Sequence, residues 1–110
     1  MSSIKSKIKR RLEKFIELDV NGLRRNVLSI LLKARRVTVD DLHTALTKKY
    51  DVSRSAVASM VGYIHSKLGI LRAHKESYKT PTVYSLKEEY VDLIKSALDS
   101  NSSTSKPVTT

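Results

Sequence analysis

The sequence is 110 residues long, contains no cysteine and has a formal net charge of +10 at pH 7. This length suits one domain with one hydrophobic core, and the lack of cysteine excludes disulfides, thiolate catalysis and cysteine-bound zinc. No apolar run is long enough for a membrane span, and no apolar block follows the basic N-terminus as in a signal peptide. We therefore expect a soluble, cytoplasmic protein.

The positive charge is concentrated in two segments. Residues 1–36 contain eleven lysines and arginines against three acidic residues, and residues 53–85 contain five against one. Residues 40–51 and 87–99 carry a small net negative charge. Because lysine and arginine release condensed counterions when they neutralise phosphates, this distribution favours a polyanionic partner over a generally solvated surface.

Two amphipathic helices are predicted in the N-terminal third of the chain. The first covers residues 4–18, where an apolar side is surrounded by lysine and arginine. A break follows, and either Asp19 or Asn21 can cap the second helix, which runs from about residue 23 to residue 35. The first helix suits a basic arm, a docking element or half of a dimer interface.

A helix-turn-helix is predicted in the middle of the chain. The β-branched residues 37–39 can add an edge strand to a small sheet, and Thr38 and Asp41 form a capping-box pattern for a third helix over residues 40–49. After a short turn, a fourth helix covers about residues 53–68. Its apolar residues recur at helical spacing, and its opposite face is small and polar, as in a recognition helix.

A β-hairpin is predicted directly after the fourth helix. Gly69 ends that helix, and residues 70–86 have β-rich flanks around a polar middle. Tyr84 and Leu86 should share the buried face because strand side chains alternate. Pro81 cannot donate a ladder hydrogen bond, which predicts that its strand lies at a sheet edge or that its backbone faces outward.

The order of these elements is typical of a winged helix-turn-helix. The predicted fold class is mainly α with a small β-hairpin, with an extra N-terminal helix and a C-terminal amphipathic helix over residues 87–99. We expect the domain to span residues 1–99. Residues 100–110 are rich in serine and threonine, which predicts a disordered tail.

The chain also resembles a known family. The resemblance is carried by RLEKFIELDVNGLRRNVL, VSRSAVASMVGYIHSKLGIL and LGILRAHKESYKTPTVYSLKEEY, and it covers roughly residues 10–98. These segments are similar to a family of small, uncharacterised archaeal winged-helix proteins. Membership implies a winged-helix fold and a DNA-binding role, but it brings no established ligand, operator or catalytic residue.

Residue types used in catalysis and metal binding are scattered along the chain. His43, His65 and His74 fall on different predicted elements and lack the spacing of metal ligands. The glycines are isolated, so no phosphate-cradling loop is predicted, and the acidic pairs at residues 40–41 and 88–89 suit helix starts. We predict no enzymatic activity, no metal site and no cofactor.

Double-stranded DNA is the predicted partner, bound by the fourth helix and by the hairpin acting as a wing. Arg54 can bond a guanine edge or a phosphate, and Ser55 and Ser59 can bond phosphates or bases. Tyr63 can contact the DNA backbone or pack against the wing. The predicted contacts of the wing are Arg72, His74, Lys75 and Lys79.

Only modest sequence specificity is expected from a transcriptional regulator of this kind. Beyond Arg54, the exposed face of the fourth helix offers no asparagine, glutamine or second arginine, the side chains that discriminate bases best. Contacts to the backbone and DNA shape should therefore contribute more than direct base readout.

Alternative partners follow from the same features. A protein-interaction module is the second hypothesis, because the small residues between Arg54 and Gly62 would admit a partner helix closely. RNA is disfavoured, since the five tyrosines and one phenylalanine form no stacking platform. A homodimer is expected through apolar residues of the terminal helices, which could equally close the monomer core; they are Ile4, Ile8, Leu12 and Phe15 with residues 90–98.

Overall fold

A computed structural model describes residues 4–105, with side chains as far as residue 99. This part of the chain forms five α-helices and a small antiparallel sheet, and each of its helices falls short of the length and apolarity needed to cross a bilayer. The helices are α1 (Ile4–Glu17), α2 (Leu23–Ala34), α3 (Val39–Leu46), α4 (Arg54–Tyr63) and α5 (Val91–Ser105), and the strands are β1 (Arg36–Val37), β2 (Leu71–His74) and β3 (Val83–Leu86).

Two short helical turns complete the secondary structure. A π-helical turn at Ile64–Leu68 continues α4, and a 3₁₀ turn at Glu88–Tyr90 leads into α5. The sequence predicts one uninterrupted α-helix over residues 53–68. In the structure the α-helix ends at Tyr63 and the π-helical turn follows it. In this turn, the Gly69 N–H donates to the Ile64 carbonyl at 3.1 Å, five residues back instead of four.

The sheet places β3 at its centre. β3 pairs antiparallel with β1 on one side and with β2 on the other. Leu71 lies opposite Leu86 and Ala73 lies opposite Tyr84, so these side chains share one face of the sheet. Leu71 and Leu86 are buried and Tyr84 packs against the core, which confirms that Tyr84 and Leu86 share the inner face.

The sheet order corrects the prediction for Pro81. The first of its two alternatives, an edge position for the strand that follows this proline, is wrong, because that strand is β3, which is central. Pro81 lies two positions before β3, in the loop, where the ladder needs no hydrogen bond from it. The predicted extra edge strand is confirmed as β1, which begins at Arg36, one residue earlier than the β-branched triplet.

The core is built largely by packing α1 along α5. Leu12 and Phe15 of α1 are buried, and so are Ile94 and Ala97 of α5. The apolar residues expected to form a homodimer interface therefore close the core of the monomer, as the alternative interpretation has it. Of that set, Ile4 stays 68 % exposed.

Predicted polar caps fix the starts of α2 and α3. Thr38 Oγ1 accepts the Asp41 N–H and the Asp41 carboxylate accepts the Thr38 N–H, both at 3.0 Å, which confirms the capping box. Both candidate caps of α2 are used, because Asp19 and Asn21 each accept backbone N–H groups of its first turn. These caps orient the two helices that precede the predicted recognition helix.

Three of the residues that the structure describes have a positive φ. Gly22 before α2 has φ +88°, and Gly69 after the π-helical turn has φ +71°, which confirms Gly69 as the helix stop. Arg35 has φ +66°, which costs a residue with a Cβ about 1–2 kcal/mol. Its side chain offsets part of this cost, donating to the Leu32 carbonyl at 2.8 Å and pairing with Glu88 at 2.6 Å.

α5 extends past the predicted end of the domain. Its backbone is helical through Ser105, whereas the sequence predicts a disordered tail from Ser100 onward. Helix propagation gains one hydrogen bond per residue fixed, so a helix anchored by the buried Ile94 and Ala97 can continue beyond its last core contact. Residues 106–110 of the predicted tail lie outside the described residues.

Candidate nucleic-acid interface

α4 buries one face and exposes the other. Val57 and Val61 are buried in the core, whereas Ser55 and Ser59 are exposed. Gly62 continues the exposed side, and a methyl group in place of its hydrogen would contact no described residue within 4 Å outside its own helical turn. The small, polar face predicted from the sequence is therefore open on its outer side.

Two hydrogen bonds position the start of α4. Ser53 Oγ accepts the Ala56 N–H at 3.1 Å, so Ser53 is the N-cap of α4. His43 of α3 places Nε2 3.0 Å from the Val52 carbonyl oxygen. Because a carbonyl oxygen can only accept, Nε2 is the donor, and this bond ties α3 to the turn that leads into α4.

Arg54 is exposed but already has an acidic partner. Its Nε lies 2.5 Å from Asp40 Oδ1, with the two side chains 59 % and 62 % exposed. The hydrogen bond and charge of Arg54 lower the pKa of Asp40 below its ordinary 3.8, and Asp40 raises the pKa of Arg54 in return. Among residues 4–99 this contact engages Nε and leaves the Nη groups of Arg54 for a ligand.

A cavity between α4 and the hairpin brings two predicted cations together. We call the hairpin of β2, β3 and their connecting loop the wing, residues 71–86. The cavity has a volume of about 230 Å³ and is lined by Val39, Asp40, Arg54, Lys75, Pro81, Thr82 and Tyr84. Arg54 of α4 and Lys75 of the wing therefore line the same groove.

The predicted contacts Arg72 and His74 of the wing lie elsewhere. Strand alternation and register put Arg72 and His74 on the outer face of the sheet, away from the core. Arg36 of β1 and Arg72 of β2 both lie opposite Ser85, so the two guanidinium groups belong to one row across the three strands. The structure groups Lys75 with Arg54 and separates Arg72 and His74 from them.

The tip of the wing is ordered by a tight turn. The Ser77 N–H donates to Thr80 Oγ1 and the Thr80 N–H donates to the Ser77 carbonyl, both at 3.1 Å. Lys79, a predicted contact, is exposed within this turn. Tyr78 beside it is 86 % exposed and was not among the predicted contacts. In the sequence, Tyr78 stands out as an aromatic residue in a polar loop that contains lysine.

Tyr63 lies at the other end of α4, against α1. Its ring stacks on Phe15 with centroids 5.8 Å apart and planes at 14°, and the residue stays 43 % exposed. Packing against the wing was the second role predicted for Tyr63. The residue packs on α1 instead. The wing is contacted instead by His65, whose ring meets Tyr84 edge-on at a centroid distance of 5.8 Å.

Comparison with known proteins identifies the family. Residues 12–94 match the model of a family described as "Protein of unknown function (DUF2551)". The chain is also 36 % identical over 93 residues to an uncharacterised protein of Archaeoglobus fulgidus, covering 84 % of this chain and 93 % of that relative. Both matches include α2 to β3 and therefore the whole helix and wing described above. The resemblance to an uncharacterised archaeal family is thereby confirmed, and the chain belongs to the DUF2551 family.

Proposed function

We propose that this protein binds double-stranded DNA as a winged helix, with α4 as the recognition helix. The order α2, β1, α3, α4, β2, β3, with β3 central in the sheet, supports the winged-helix assignment. The observation that carries the proposal is the meeting of Arg54 and Lys75 in one groove beside the open face of α4. A helix with such a face can enter a major groove while flanking cations contact phosphates.

The charge of the surface supports a nucleic-acid ligand. The chain has 21 lysines and arginines against 11 acidic residues. No charged side chain in the described part of the protein is buried, so its excess of positive charge faces solvent. A surface of this kind attracts duplexes at long range and gives an affinity that falls steeply with salt.

The proposed role is that of a transcriptional regulator with modest sequence specificity. Arg54 is the side chain of α4 best suited to a base edge, and its Nε is occupied by Asp40. Backbone contacts by Lys75 and Lys79 then supply more of the affinity than direct base readout.

A protein-interaction module is the second candidate function. The ion pair with Asp40 neutralises Arg54, the basic residue of α4. The open space at Gly62 would allow a partner helix to approach as closely as a DNA groove. In this case the wing and α4 would bind a protein surface, and duplex binding would be weak at every salt concentration.

Charge reversal distinguishes the two functions. We expect Arg54→Glu combined with Lys75→Glu to abolish binding of a fluorescent duplex, measured by anisotropy between about 50 and about 200 mM salt. The matched control is Lys33→Glu combined with Lys95→Glu, two exposed lysines on α2 and α5. Sedimentation should give the same oligomeric state for all three proteins.

Two results would contradict the DNA proposal. A flat plot of log affinity against log salt for the wild-type protein would exclude phosphate neutralisation as the source of binding. Equal losses in the Arg54/Lys75 variant and in the control would show that net charge alone, and not the groove between α4 and the wing, retains the duplex.

A further inference from the structure

A second basic pocket lies at the C-terminal end of α4. This open pocket has a volume of about 410 Å³ and is lined by Arg11, Tyr63, Ser66 and Lys67. Arg11 comes from α1, the helix that precedes the proposed winged helix, and the other three come from α4 and the π-helical turn. None of the four side chains is acidic, and all four carry hydrogen-bond donors.

The internal contacts of the pocket leave three donor groups for a ligand. Arg11 Nη1 donates to the Lys67 carbonyl at 3.1 Å, which holds the guanidinium beside the π-helical turn. Ser66 Oγ donates to the Gly62 carbonyl at 2.9 Å, so its proton is used. The rest of the Arg11 guanidinium, the Tyr63 hydroxyl and the Lys67 ammonium remain. Two cations and one phenol match the several acceptor oxygens of a phosphate.

The pocket continues the exposed face of α4. Ser55, Ser59 and Tyr63 are spaced four residues apart, so they follow one line along the helix to the pocket. From Arg54 to Lys67 the helical rise is about 20 Å. Because the major groove is about 12 Å wide, a helix of this length docked there has ends that reach both flanking phosphate backbones.

We infer that Arg11, Tyr63 and Lys67 bind a phosphodiester of the duplex, on the backbone opposite the one contacted by Arg54 and Lys75. This inference rests on the proposed function. It gives α1 a direct role in the interface, and it adds Arg11 and Lys67 to the predicted contacts. The stacking of Tyr63 on Phe15 holds the phenol in place for this contact.

Salt dependence of duplex binding tests the pocket. Arg11→Gln and Lys67→Gln should each lower the slope of log affinity against log salt by about 1, since each removes one phosphate contact. Arg10→Gln is the matched control: Arg10 is exposed, adjoins Arg11 on α1 and does not line the pocket, so its slope should equal that of the wild type. Tyr63→Phe keeps the stacked ring and should weaken binding about two- to tenfold at an unchanged slope.

The two cation variants separate ligand binding from a structural role. Arg11→Gln also removes the bond to the Lys67 carbonyl, whereas Lys67→Gln keeps that carbonyl and the bond to it. A lowered slope in Lys67→Gln with unchanged thermal unfolding therefore supports a phosphate contact. If the wild type binds duplex and both variants match Arg10→Gln, the pocket is not a phosphate site. If the wild type fails to bind duplex, the proposed function and this inference are both wrong.

Discussion

Asp40 Oδ1 lies 2.5 Å from Arg54 Nε, so the first turn of α3 holds the one arginine on the exposed face of α4. Asp40 also lines the groove that contains Lys75. A carboxylate in this position competes with a phosphate or a base edge for the guanidinium, and it repels the DNA backbone. The ion pair therefore sets how much of the charge of Arg54 is available to a duplex.

Asp40→Asn should raise the affinity for duplex DNA and steepen its salt dependence by about one unit of slope, because Arg54 then neutralises a phosphate instead of a carboxylate. Anisotropy titrations of one duplex at several salt concentrations measure both quantities. Asp92→Asn, an exposed residue of α5, makes the same change in net charge. Equal gains in the two variants would assign the effect to net charge alone.

The same ion pair predicts a dependence of stability on pH. Arg54 lowers the pKa of folded Asp40 below its ordinary 3.8, chiefly through the hydrogen bond. A carboxyl group with a lowered pKa stabilises the folded state above its unfolded pKa, and this contribution is lost as the pH falls through the folded pKa. The difference in free energy of unfolding between the wild type and Asp40→Asn should thus be present above about pH 4 and shrink below it. Urea unfolding over a pH series measures it, and a difference that grows on acidification would contradict the prediction.

The two faces of the wing should respond differently to neutralisation. Lys75→Gln should lower the salt slope of duplex binding by about 1 because Lys75 lines the groove beside Arg54. Arg72→Gln removes the same charge from the outer face of the sheet and should change the slope less. Equal slopes in the two variants would mean that the duplex also engages the outer face.

Gly62→Ala should separate stability from binding. Alanine is the better helix former by about 0.5–1 kcal/mol, and its methyl group would contact no described residue within 4 Å outside its own helical turn, so the free energy of unfolding should rise. The same methyl group fills space on the exposed face and should weaken duplex binding. Chemical unfolding and anisotropy measure the two effects, and unchanged binding would show that no partner approaches the helix closely at this position.

The two left-handed glycines should differ in their tolerance of alanine. Gly69→Ala meets no neighbour within 4 Å and should cost about 1–2 kcal/mol for its backbone alone. Gly22→Ala should cost more, because its methyl group would lie 3.1 Å from the hydroxyl of Tyr50. Unfolding free energies provide the comparison. In a Tyr50→Phe background the cost of Gly22→Ala should approach that of Gly69→Ala, and an undiminished cost would exclude the hydroxyl as its cause.

Local features of this fold were predictable because neighbouring residues determine them. Thr38 and Asp41 stand three positions apart, and that spacing alone defines the capping box. Gly69 stops a helix because it reaches positive φ without a Cβ penalty. The outward face of Arg72 was also available from the period-two alternation of a strand.

Contacts between distant residues were not predictable in this way. Asp40 and Arg54 are fourteen positions apart, and their pairing depends on how α3 packs against α4. The stacking of Tyr63 on Phe15 likewise depends on where α1 lies. Both contacts change what the exposed face of α4 offers, so the sequence alone could not describe the chemistry of this candidate site.

The π-helical turn at Ile64–Leu68 sets where the chain leaves the fourth helix on its way to the wing. Successive residues of an α-helix are rotated by about 100°, and closing the last turn on the fifth residue instead of the fourth changes where the chain leaves the helix. Gly69 follows at once, and β2 begins at Leu71. Inserting or deleting one residue in this turn would therefore change the exit of the chain against the position that the pairing of β3 with β1 fixes for the wing, whereas the loop at the wing tip can change length without this conflict.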